Sequence, residues 1–134
     1  MSEQRGPGRA ESWLPLALAG GRFALGAAIW AAPDRALGAL GFDPSRPAIR
    51  ALGRLAGTRD LATGALALEA HGRPSAVRRA LLLNAAIDAG DALAFGLALR
   101  SGERDVRRAG AVGAPSALVA CLAGLGLARH ISKR

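Results

Sequence analysis

The sequence predicts an all-α fold: a four-helix transmembrane bundle, antiparallel and up-down, with a short interfacial helix between the first two long helices. Three observations carry that expectation. The chain has 134 residues, of which 51% are hydrophobic but only 4% aromatic, so its interior has to be assembled from Ala, Leu and Val. Small residues let membrane helices approach one another closely. Four stretches of about twenty mostly apolar residues follow one another, and at about 1.5 Å of rise per residue each covers the roughly 30 Å hydrocarbon layer. Six charged residues, Arg22, Arg54, Arg59, Asp60, Asp88 and Asp91, lie inside those stretches. An ionised side chain at the centre of a bilayer costs about 3 kcal/mol on insertion scales, so six of them imply that they face one another or water.

Residues 1–10, MSEQRGPGRA, read as a polar disordered tail, and residues 11–134 as a single integral membrane domain. A basic lead before an apolar run has the outline of a signal peptide, but Arg22 interrupts it and three more apolar segments follow. The first segment covers residues 12–32, with Pro15 near its start and Pro33 closing it. Residues 34–42 carry Ala36, Leu37, Leu40 and Phe42 at near-helical spacing, the pattern of a short helix lying in the interface. The second segment covers residues 49–70 and is entered through Asp43, Pro44, Ser45, Arg46 and Pro47, which combine turn residues with a proline suited to a first helical turn. The third covers residues 80–99, with Ser75 as its expected N-cap. The fourth, residues 109–128, has no charged residue.

The formal net charge of +8 rests almost wholly on arginine. These residues are spread over every connecting segment, with no tyrosine and no interleaved stacking aromatics, a layout suited to lipid headgroups and not to nucleic acid. With both termini on one side, eight basic residues there face seven on the other, a near balance that leans only slightly to cytoplasmic termini in a bacterial cytoplasmic membrane. The single cysteine, Cys121, excludes an internal disulfide. His71 and His130 have no carboxylate or thiol at metal-ligand spacing, so no metal site, cofactor or catalytic residue is expected, and no nucleotide-binding or nucleophile motif is present.

Depth brings the charges together. Arg22, Asp60 and Asp88 lie about ten, eleven and eight residues into their segments, which places all three near one plane about 15 Å from either surface. Asn84, Asp88 and Asp91 form one polar stripe and Arg50, Arg54 and Thr58 another, while Asp60 stands within a glycine stripe with Gly53, Gly57 and Gly64. The expected buried polar network is therefore Arg22, Arg54, Arg59, Asp60, Asn84, Asp88 and Asp91. Its function is that of a static network fixing helix pairing, as in a scaffold or interaction subunit. The alternative is a small ion- or proton-coupled, or lipid- or anion-binding, protein using Asp88 and Asp91, two carboxylates one turn apart. The expected partners are the lipid bilayer and a membrane protein or second copy of the chain contacted through Gly53, Gly57, Gly64, Gly113 and Gly124.

The string GRLAGTRDLATG over residues 53–64 resembles the R-x-x-G-x-R-D-x-x-x-G core of a family of small membrane proteins catalogued as domain of unknown function 4267. Pro33, the string GALGF at residues 38–42 and the carboxylates of the third segment look like the family's neighbouring stretches, and the likeness covers roughly residues 16–127. The resemblance implies a four-helix integral membrane protein and implies no activity.

Overall fold

The computed structural model describes residues 9–133, which form five helices: α1 (Arg9–Ala31), α2 (Pro33–Ala39), α3 (Pro47–Glu69), α4 (Pro74–Ala98) and α5 (Arg104–Ser132). The tail expected to be disordered lies mostly outside the described residues, and Arg9 and Ala10 open α1.

Proline sets the helix starts. Pro33, Pro47 and Pro74 each occupy the first turn of a helix, where the missing N–H would have had no partner. Pro74 also corrects the expectation for Ser75: the cap position is Arg73, no side chain caps it, and Ser75 lies within the helix. Helices α4 and α5 begin well before their apolar stretches because Arg78, Arg79, Arg104, Arg107 and Arg108 continue the helix outside the hydrophobic zone. The short helix α2 ends in a Schellman turn, with Phe42 N–H bonded to the Leu37 carbonyl and Gly41 N–H to the Gly38 carbonyl, each at 3.0 Å. Gly41 has φ +86°, a left-handed conformation that glycine adopts without cost. The turn aims Phe42 at Phe95 of α4, ring centroids 6.0 Å apart.

The long helices pack as two pairs, α1 with α3 and α4 with α5, and the pairs touch each other much more lightly along α3 and α4. Glycine makes each pair close. A Cβ on Gly26 would stand 2.5 Å from the Gly57 carbonyl oxygen and 2.8 Å from the Leu61 nitrogen, and one on Gly64 would stand 2.9 Å from the Phe23 nitrogen. In the other pair, a Cβ on Gly110 would meet the Phe95 carbonyl oxygen at 2.7 Å. Backbone therefore rests on backbone, the geometry that small residues make possible between helices.

Large side chains lie on the outside. Leu55, Leu66, Leu93, Leu97, Val119 and Leu122 are all exposed, whereas the buried positions are Ala, Gly and a few others, with no large side chain fully enclosed among the described residues. A water-soluble domain has the opposite arrangement. Three helical stretches, Trp13–Ala31, Pro74–Ala98 and Arg104–Ser132, are long and apolar enough to cross a membrane. Helix α3 has the length, 23 residues, but carries Arg50, Arg54, Arg59, Asp60 and Glu69 and is not one of the three.

Candidate functional site

Arg22 leaves α1 midway between Trp13 and Trp30, two exposed tryptophans about 26 Å apart along the helix, the spacing of the two interfaces of a bilayer. Its guanidinium bridges the other elements: Nη1 donates to Asp60 Oδ1 of α3 at 2.9 Å, and Nη2 donates to Asp88 Oδ1 of α4. Arg59 of α3 reaches Asp91 of α4 through two parallel bonds, Nη1 to Oδ1 and Nη2 to Oδ2, each 2.8 Å. Such fork-on-fork pairing is the strongest geometry available to these groups. Arg59 Nη2 also lies 3.4 Å from Asp60 Oδ1, so Asp91, Arg59, Asp60, Arg22 and Asp88 form one continuous chain of alternating charge. Asp60 and Asp88 are only 5% and 6% exposed.

Two of the expected network members stand apart. Arg54 is a correction: it is exposed, and its guanidinium lies over the Trp30 ring, 5.5 Å from the centroid. The reason is angular. At about 100° per residue Arg54 lies about 120° round α3 from Asp60, on the flank away from Arg59. Its stripe serves the α1–α2 corner instead, where Trp30 Nε1 donates to Thr58 Oγ1 at 3.2 Å and Arg50 pairs with Asp34 at 3.0 Å. Trp30 was not singled out from the sequence, where the Arg50–Arg54–Thr58 stripe was visible without its partner. Asn84 lies one turn from Asp88, but its Oδ1 is buried without a hydrogen-bond partner, as is Arg59 Nε. Asp88 and Asp91 are each held by a different arginine.

The motif on α3 acquires a physical reading, residue by residue. Arg54 covers Trp30, Gly57 receives Ile29 and the Gly26 backbone, Arg59 holds Asp91, Asp60 accepts from Arg22, and Gly64 admits the α1 backbone. The glycines expected to contact a second molecule are likewise occupied within the chain: Gly53 by Leu37, Gly57 by Ile29, Gly64 by Phe23, Gly113 by the Phe95 ring and Gly124 by Leu81 and Ala85.

Between the two helix pairs a cleft of about 550 Å³ runs past the network. All four long helices line it, mostly with apolar side chains such as Leu25, Leu52, Leu81, Phe95 and Ala117, and Arg22, Arg59, Asp60, Asn84, Asp88 and Asp91 form its one polar zone. Among the described residues no group of three or more His, Cys, Asp or Glu side chains is arranged to hold a metal ion. Compared with protein-family models, curated proteins and solved structures, the chain matches none.

Proposed function

We propose that this chain is a four-span integral membrane protein, of the kind its α3 motif resembles, that works as a scaffold or interaction subunit whose buried Arg/Asp network locks two helix pairs together. The observation that carries the reading is the position of Arg22, which joins α1, α3 and α4 at mid-depth through Asp60 and Asp88. Each pair closes on its own glycines, whereas the contact between pairs is sparse and charged. Opposite charges satisfied inside the protein are what permit ionised groups at that depth. A role in binding an anion is less well supported, because both guanidiniums already hold carboxylates.

With four spans the two termini share a side, the cytoplasmic side of a bacterial membrane. The test combines sedimentation with thiol labelling. The protein is expected to stay with membranes through an alkaline carbonate wash and to be released by detergent. In a Cys121→Ala background, a cysteine at Ala48, in the first turn of α3, and one at His71, just past its end, mark the two ends of the helix. Four spans require an impermeant maleimide to reach these two positions from opposite faces of the membrane. Labelling of both from one face would remove α3 from the membrane and overturn the topology.

A further inference from the structure

We infer that the cleft between the helix pairs is a binding site for a single-chain, membrane-soluble amphiphile with a protonated amine head, the head seated against Asp60 and Asp88 and the chain running towards Phe42. The inference rests on the membrane reading above and goes beyond the scaffold role. Three observations support it.

The first is an unused pair of acceptors. Asp60 takes its bonds from Arg22 and Arg59 on Oδ1, and Asp88 takes its bond from Arg22 on Oδ1. The Oδ2 atom of each carboxylate accepts from no side chain among the described residues. Both residues are more than nine-tenths buried, and both line the cleft. Neither Oδ2 is sealed off from the cleft, so both stand open to a donor that enters it.

The second is charge. Two guanidiniums, Arg22 and Arg59, face three carboxylates, Asp60, Asp88 and Asp91, leaving one negative charge in excess. An ammonium head neutralises that excess and supplies three donors, whereas a carboxylate or phosphate head adds to it and finds the terminal nitrogens of both arginines bonded to carboxylates, with only Arg59 Nε unmet.

The third is shape. The cleft holds about 550 Å³. That volume lies within the usual range of small-molecule sites. From the network towards Phe42 its walls are Leu25, Ile29, Leu37, Leu52 and Phe95, a surface that matches a hydrocarbon chain and nothing polar.

Native mass spectrometry of the protein in a neutral detergent tests this with three probes of one chain length: dodecylamine, dodecanol and dodecanoate. The amine is expected to bind one per chain, at least tenfold more tightly than the alcohol or the fatty acid. Asp60→Asn and Asp88→Asn are expected to erase that preference. Because either change also loosens the helix pairs, Ala117→Phe provides the independent variant: it lies on α5 in the cleft wall, outside the network. It is expected to keep wild-type helicity while weakening amine binding at least tenfold. Amine binding no tighter than that of dodecanol, or undiminished in folded A117F, would overturn the assignment. Either result would leave sedimentation and thiol labelling unchanged, so failure of the site is distinguishable from failure of the membrane reading.

Discussion

Arg22→Met is the perturbation that separates a network holding the fold from charges that merely coexist in it. Methionine keeps an unbranched apolar stem but, ending at Cε, removes the bonds to Asp60 and Asp88. Asp60 retains Arg59 at 3.4 Å, whereas Asp88 loses its only side-chain partner among the described residues. Two hydrogen bonds between charged groups at about 1.5–3 kcal/mol each give about 3–6 kcal/mol. The cost of breaking a buried ion pair by deleting one member, about 3–5 kcal/mol, falls in the same range. Ordinary interhelical hydrogen bonds in membrane proteins average only about 0.6 kcal/mol, so the two cases are well separated.

The assay is reversible unfolding in mixed dodecylmaltoside and dodecylsulfate micelles, followed by circular dichroism. R22M is expected to lose at least 3 kcal/mol, within the range for a broken buried pair. Adding Asp88→Asn removes the stranded charge, and R22M/D88N is expected to recover about 2 kcal/mol relative to the sum of the single changes, a coupling typical of residues in one network. A loss below about 1 kcal/mol for R22M, or additive single changes, would refute a clamp at this position.

Gly26→Val drives side-chain atoms into the α3 backbone, where even a Cβ has only 2.5 Å, and is expected to cost about 1–3 kcal/mol in the same unfolding assay. Gly90→Ala, with nothing within 4 Å of its Cβ, is the matched control and is expected to be neutral or to stabilise by up to about 1 kcal/mol. Arg54→Ala removes an exposed contact with Trp30 and is expected to cost about 0.5–1 kcal/mol, far less than Arg22→Met. In the loop before α3, the Ser45 hydroxyl and backbone N–H donate to Asp43 Oδ1 at 2.7 and 2.9 Å and hold that carboxyl below its ordinary range. Ser45→Ala is expected to raise the Asp43 titration, read by NMR. Because the folded value is the depressed one, the stabilisation is present above the ordinary carboxylate range and is lost as pH falls through the folded value, so the two proteins converge in acid.

Helix positions were legible because proline and hydropathy act locally. Pro33, Pro47 and Pro74 mark first turns whatever the helices later touch. Depth was legible too: counting residues from the segment ends put Arg22, Asp60 and Asp88 at one level, and they are in contact. Azimuth was not. Whether Arg54 or Arg59 faces the carboxylates depends on where α1 and α4 stand around α3, and a stripe on one helix does not say which neighbour will cover it. Arg59 and Arg54 flank Asp60 on the helix wheel, about 100° to one side and about 120° to the other, and Arg59 falls on the side that reaches Asp91 while Arg54 falls on the side of Trp30. The glycines posed the same problem, since a stripe of small residues fits a helix of the same chain as well as one from a partner.

Helix α3 shows why residue-by-residue hydropathy undervalues such a segment. Each charge at the bilayer centre is scored at about 3 kcal/mol as though it entered lipid alone. None of these does. Asp34 meets Arg50, Trp30 covers Arg54, Asp91 holds Arg59, Arg22 holds Asp60 and, at the helix end, Arg73 lies 3.8 Å from Glu69. The partners come from α1, α2, α4 and the turn after α3, so the proposed crossing by α3 is a property of the assembled chain. The same dependence explains the division of labour between residues. Glycine sets how closely α1 approaches α3, and that approach fixes whether Arg22 lies within 2.9 Å of Asp60. A bulky residue at Gly26 therefore acts twice, first through the clash and then by lengthening an ion pair about one turn away. Its cost should exceed that of an equal clash between α4 and α5 at Gly110, since among the described residues no ion pair joins those two helices.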